Sequence, residues 1–220
     1  MGEGRLNLAF TLQLGKICPS LIGGVHTHGN TKRHSKGNNN RTYGNIPNKF
    51  GGTKRMKLNF GSGEVIMKGW DNADVETHNG ANIIFDFEKL PYPIKDNTYD
   101  YILANHVLEH LYHPDKIIQE LGRIAKHNCI LEINVPHMNS EGAFNIGHIS
   151  YWTKNSFILL TTPVGWERKN NYKLEMISID LTPTWFSKYI PSTLRFHLSR
   201  LIRGMYNEIK CKMRVIKEVE

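Results

Sequence analysis

Cysteine, long apolar runs and acidic residues near the chain ends are all scarce in this 220-residue sequence. Only Cys18, Cys129 and Cys211 occur. They are odd in number and widely separated, which excludes a disulfide framework and a close-spaced thiolate metal site. No apolar run approaches the ~20 residues that a membrane-spanning helix needs. The one apolar stretch near the start, Leu6 to Leu14, is broken by Asn7 and Gln13 and preceded by Glu3 and Arg5, a poor match to a secretory signal. These absences predict a cytoplasmic protein. The lack of acid is regional. Residues 1–57 carry ten Lys/Arg against one Glu, and residues 184–220 carry eight against three, whereas residues 58–183 carry ten against sixteen. The net charge of +8 therefore sits in the two ends around an acidic centre. A nucleic-acid enzyme lines its substrate path with positive potential, so nucleic acid is not the expected substrate.

Large apolar side chains are also nearly missing from residues 26–55, which are rich in Gly, Asn, His and Lys. Such a segment cannot bury enough surface to offset its ordering entropy. Residues 1–55 are read as a basic, flexible arm, and its histidines as part of a solvated polar linker. From Met56 the pattern changes. Short strands are predicted at Met56–Phe60, Trp70–Val75 and Asn82–Phe87, a central strand at Tyr99–Ala104 and another at Cys129–Val135. Ile117, Ile118, Leu121 and Ile124 fall at helical spacing after Pro114, a residue suited to a first turn. A further helix is expected over Thr153–Leu160, and strands over Lys173–Ile179 and Ile209–Ile216. Alternating strands and helices predict an α/β fold: a doubly wound, mostly parallel sheet with helices on both faces, filling residues 56–220.

Ligands of such sheets sit at the carboxyl ends of the strands. The first strand ends in Gly61-Ser62-Gly63, where glycines permit a tight turn and a close backbone approach. The second brings Asp71 and Asp74, and a carboxylate there suits the two hydroxyls of a ribose. Asp86 and Phe87 follow the third strand, an acceptor for an exocyclic amine beside an aromatic face. Asn105 and His106 follow the fourth, and Pro136 and His137 the fifth.

The order of these pieces resembles the class I S-adenosylmethionine-dependent methyltransferases. The resemblance is carried by Leu58-Asn59-Phe60-Gly61-Ser62-Gly63, Gly69-Trp70-Asp71-Asn72-Ala73-Asp74 and Ile83-Ile84-Phe85-Asp86. It continues through Leu90-Pro91-Tyr92-Pro93, Asp96-Asn97-Thr98-Tyr99-Asp100, His106-Val107-Leu108-Glu109-His110, Val135-Pro136-His137 and His148. It covers residues 56–162, and the Val-Leu-Glu-His stretch after a strand is its most specific part. The resemblance implies a Rossmann-like domain using S-adenosyl-L-methionine. The cofactor cradle would open at Asn59, Gly61, Ser62 and Gly63. Asp74 would hold the ribose, Asp86 and Phe87 the adenine, and Asn105 and His106 would border the methyl-transfer site.

Two departures stand out. The family's Lys-Pro-Gly-Gly turn is replaced by Lys126-His127-Asn128-Cys129, and only residues 61–69 separate the first two strands. A parallel crossover usually takes a dozen or more residues. A nicotinamide fingerprint is excluded by Ile66 in place of a third glycine and by Asp74 coming too early. The expected activity is methyl transfer to an oxygen or nitrogen of a small molecule or glycan, with His106 or His148 as general base. A catalytically silent binding module on the same scaffold is the first alternative, and a nucleic-acid methyltransferase, disfavoured by the acidic centre, is the second. No metal site is expected, because spacing sets no carboxylate with the histidines. Residues 14–28 also resemble the first strand and glycine turn of two-domain nucleotide-sugar glycosyltransferases, in Leu14-Gly15-Lys16, Pro19 and Gly23-Gly24-Val25-His26-Thr27-His28. That likeness would place the chain in a glycan-assembly setting. Finally, Phe186 to Tyr206 is amphipathic, with Leu194, Leu198 and Leu201 in a row and a helix expected to start near a Ser192 cap. It is read as a helix packed on the sheet or serving as a lid, or else as a peripheral membrane contact.

Overall fold

The computed structural model describes residues 55–77, 80–162 and 171–218. The basic arm and the stretch resembling glycosyltransferases lie outside them. The described chain forms one seven-stranded sheet. Its strands are β1 (Lys57–Phe60), β2 (Asp71–Asp74), β3 (Ile83–Ile84), β4 (Tyr99–Asn105), β5 (Ala125–Pro136), β6 (Tyr172–Pro183) and β7 (Tyr206–Lys217). Their order across the sheet is β3-β2-β1-β4-β5-β7-β6. The pairs from β3 to β5 are parallel. β7 is antiparallel to both β5 and β6. The expected doubly wound, mostly parallel fold is what forms, and strand order reverses between β1 and β4, where such sheets bind ligands.

Among the described residues, helices appear only in the later connections: α1 (Pro114–Ile124), α2 (Lys154–Leu160) and α3 (Ser192–Leu198). α1 starts on Pro114, and Ile117, Ile118, Leu121 and Ile124 are all buried. At α2, Thr153 and Ser156 form a reciprocal capping box. No helix of the described residues is long and apolar enough to cross a membrane.

The first crossover closes without a helix because asparagines supply the missing hydrogen bonds. The Asn59 amide donates to the Val65 carbonyl at 2.8 Å and to Asn72 Oδ1 at 3.0 Å. The Asn72 side chain also accepts from the Met67 amide at 2.8 Å and donates to the carbonyls of Met67 and Trp70. The Asn72 amide in turn donates to Asn82 Oδ1 at 2.6 Å, tying in the next connection. Asn59 and Asn72 are both buried, so these bonds form away from competing water, where leaving them unmade is costly.

The Lys126–Cys129 turn is absorbed into the sheet as an irregularity. Register jumps from Tyr99 opposite Ala125 to Tyr101 opposite Ile130. Asn128 takes the left-handed backbone that the glycine would have taken, at φ +65°. Other differences follow from packing. The expected third strand, Asn82–Phe87, contracts to two residues. Phe85 and Phe87 leave the sheet to join Phe60 and Tyr92, with the Phe87 ring stacked on Phe60 at 4.0 Å between centroids. β6 and β7 are both longer than expected and pair along almost their whole length. α3 is much shorter than the Phe186–Tyr206 segment. Pro191 stands at its cap position in place of Ser192, and it buries no side chain. The expectation that this helix packs into the core is therefore not met.

Candidate functional site

The turn after β1 and the turn after β4 lie against one another at the switch in strand order. Gly61 has φ +69°, and a Cβ there would stand 2.5 Å from Val107 Cγ2. Only glycine lets the loop come this close to the turn that carries His106. Gly63 also has a left-handed backbone, at φ +49°, but a Cβ there would meet nothing within 4 Å. So Gly61 is fixed by packing, while Gly63 faces open space at the loop's crest.

The loop amides are already committed. Gly61 and Ser62 both donate to the Ala73 carbonyl at 3.0 Å. The Gly63 amide donates to Asp74 Oδ2 at 2.6 Å, and Val75 donates to Asp74 Oδ1 at 2.7 Å. Asp74 thus sits where a ribose-binding carboxylate is expected and also fastens the loop. Ser62 is 4% exposed, and its hydroxyl has no hydrogen-bond partner. A buried hydroxyl without a partner is destabilising unless a ligand completes it. Asp86 lies beyond β3 with its side chain 48% exposed, paired with Lys89 at 3.2 Å. The Phe87 ring is in the core at 3% exposure, leaving little face for an adenine. Asn59 is likewise drawn into the loop's support.

A second group of residues gathers beyond β4. The Asn134 amide donates to Asn105 Oδ1 at 2.9 Å, joining the ends of β4 and β5. His106 has a left-handed backbone at φ +53°. Its Nδ1 lies 3.2 Å from Glu109 Oε1 and its Nε2 lies 2.9 Å from Glu208 Oε1 on β7. Burial alone would lower its pKa, but hydrogen bonds to Glu109 and Glu208 win and push it up to about 9. With both nitrogens donating to carboxylates, His106 has no lone pair with which to accept a proton. His148 differs: burial, aided by His110, holds its pKa below the ordinary range. Its Nδ1 is buried without a partner. The rings of His110 and His148 meet edge to face, 4.5 Å between centroids.

Asn72, Asn82 and Glu208 are the residues that sequence reasoning did not single out. Asn72 sits in the quoted Gly-Trp-Asp-Asn-Ala-Asp run and so carried a signal. Glu208 carried none, being 102 positions from its partner.

Residues 67–133 match the family model described as a methyltransferase domain. No curated protein matches the chain. Among solved structures, the [4+2]-cyclase SpnF superposes with a TM-score of 0.50 at 14% identity, covering 74% of this chain and 75% of that one. The YcgJ protein of Bacillus subtilis aligns at TM-score 0.49 and 12% identity over 76% of this chain and 93% of its own. A putative sarcosine dimethylglycine methyltransferase of Galdieria sulphuraria aligns at TM-score 0.49 and 12% identity, over 75% and 79%. These likenesses concern the fold. The sheet order, the glycine turn at its switch point and the family match together define a Rossmann-like transferase domain. The match over residues 67–133 and the fold support a class I S-adenosylmethionine-dependent methyltransferase domain, which implies S-adenosyl-L-methionine as its cofactor.

The residues present fit that cofactor: open space over Gly63, a buried and unpartnered Ser62 hydroxyl, and carboxylates of Asp74 and Asp86 after β2 and β3. When bound, S-adenosylmethionine supplies a sulfonium methyl group for in-line displacement.

Proposed function

We propose that this enzyme methylates an oxygen or nitrogen of a small molecule or glycan, with Gly61, Ser62, Gly63, Asp74 and Asp86 holding the cofactor. The observation that carries this reading is the contact of Gly61 with Val107, which sets the cofactor turn directly beside Asn105 and His106. Holding a nucleophile aligned there would lower the barrier by up to about 7–11 kcal/mol. An acceptor hydroxyl or amine must lose a proton as it reacts. Since both nitrogens of His106 face carboxylates, it positions the acceptor through its charge. Calorimetry with S-adenosylmethionine tests the reading. One site per chain is expected, followed by transfer of labelled methyl to a hydroxyl- or amine-bearing acceptor. Absence of heat at millimolar cofactor would leave the silent-module alternative.

The acceptor's location is suggested by the segment around α3. Trp185, Tyr189 and Leu201 are 79%, 77% and 85% exposed, and Leu194, Phe196 and Ile202 are exposed beside them. Residues 184–206 include Lys188, Arg195, Arg200 and Arg203 and no acidic residue. Arg195 donates to the carbonyls of Ser187, Lys188 and Ile190, which holds the segment together. An apolar face with a basic border suits an anionic lipid surface, and so an acceptor carried on lipid. The full chain is expected to sediment with vesicles of phosphatidylcholine and phosphatidylglycerol, less so with added salt, and not with phosphatidylcholine alone. Replacing Trp185 and Leu201 with Glu should abolish sedimentation. A protein that stays in the supernatant with both vesicle types acts on a soluble acceptor instead.

A further inference from the structure

We propose that Glu109, His110 and His148 form a binding site for a divalent transition-metal ion of the zinc class. Each residue presents one ligand atom, and the three atoms lie within 4.8 Å of one another. Spacing along the sequence does not bring a carboxylate to these histidines, but the fold does. Glu109 and His110 are consecutive in the single 3-10 turn that follows β4, Leu108–His110. The loop carrying His148 is fastened to that turn through its backbone. The amides of Ile149 and Ser150 both donate to the Glu109 carbonyl, at 2.8 and 3.2 Å, and the Ser150 hydroxyl donates to the Leu108 carbonyl at 3.2 Å.

The state of the ligand atoms is what points to a cation. Glu109 is 1% exposed, and its Oε2 has no hydrogen-bond partner. His148 Nδ1 is buried and equally without one. A buried carboxylate oxygen and a buried imidazole nitrogen left unmade in the same place are costly in a closed structure and natural in a metal site. The supports of a metal site are also there. Glu109 Oε1 faces His106 Nδ1, which leaves Oε2 to coordinate. His110 Nδ1 lies 3.1 Å from the Gly147 carbonyl, and donation there fixes the tautomer that keeps a lone pair on Nε2. Two imidazoles and one carboxylate are the donor set of open zinc sites, with three protein ligands and a fourth position for water or substrate. His110 and His148 are only half-buried, so the site has a route to solvent. An ion here would act as a Lewis acid on an acceptor oxygen next to the cofactor turn. That role rests on the methyl-transfer reading, whereas binding of the ion rests on the side chains alone.

The test uses the untagged full chain, stripped with a chelator and titrated with Co²⁺ under visible absorption and with Zn²⁺ in a calorimeter. One ion per chain is expected, with the d–d bands of low-coordinate cobalt. Glu109→Gln, His110→Ala and His148→Ala should each weaken binding by about tenfold or more. His26, His28 and His34 form a second histidine-rich stretch of the sequence, and their joint replacement by Asn should leave the titration unchanged. Circular dichroism and S-adenosylmethionine binding should be retained in all variants, so a lost metal signal is not lost folding. Absence of stoichiometric binding overturns the proposal, as does binding that survives all three substitutions. Failure to find an acceptor leaves it standing, since no step of the titration requires turnover.

Discussion

Gly122→Ala is expected to destabilise the protein by about 2–3 kcal/mol, lowering the melting temperature by roughly 5–10 °C. Gly122 is buried in α1, and the Tyr172 ring at the start of β6 lies directly on it, where an added Cβ would overlap the ring. Neither partner can yield easily. Tyr172 is buried, and its hydroxyl is within reach of the carbonyls of Ile118 and Gln119 on the same helix, at 3.2 and 3.1 Å. Pushing the ring away breaks that contact and opens the packing between α1 and β6. In a helix, alanine normally gains up to ~1 kcal/mol over glycine, so a net loss reports the clash alone. Denaturant titrations of Gly122→Ala, Tyr172→Ala and the double variant separate the terms. The double variant should lose less than the sum of the singles. An unchanged midpoint for Gly122→Ala would mean that the ring does not rest there.

The strand-ending residues were the legible part of this molecule, for a physical reason. A glycine pair after a short apolar strand and acids after the next two are local features, and local chemistry decides both the turn and the strand's end. Gly61, Asp74 and Asp86 therefore lie where the sequence predicts. Departures occur wherever distant partners compete. Asn82–Phe87 alternates like a strand, yet Phe87 gains more by stacking on Phe60 than by staying in the sheet. His106 looks like a general base until β7, entering from the far end of the chain, sets Glu208 against its second nitrogen. The helix-free crossover could be measured from the spacing, but the asparagines that make it workable show no periodicity. The amphipathic row of Leu194, Leu198 and Leu201 was visible, but amphipathicity does not name the apolar phase it faces.

Asp74→Ala is expected to weaken S-adenosylmethionine binding by about a hundredfold, the equivalent of one to two charge-assisted hydrogen bonds at ~1.5–3 kcal/mol each. Two losses combine. The ribose would lose its carboxylate acceptor, and the cradle would lose the bonds from the Gly63 and Val75 amides that hold its shape. The second loss also appears without cofactor, as a drop in stability of about 1–2 kcal/mol. Asp74→Asn separates the two. Its single oxygen can keep the Gly63 amide paired and so preserve the loop, but the charge that strengthens a ribose hydroxyl bond is gone. Affinity should therefore fall in the order Asp, Asn, Ala, while melting temperature without cofactor should separate Ala from the other two. Calorimetry and thermal melts on the three proteins read both quantities. If Asp74→Asn binds cofactor as tightly as the parent, the carboxylate serves the loop alone. The ribose would then have to be held elsewhere, with Asp86 beyond β3 as the next candidate.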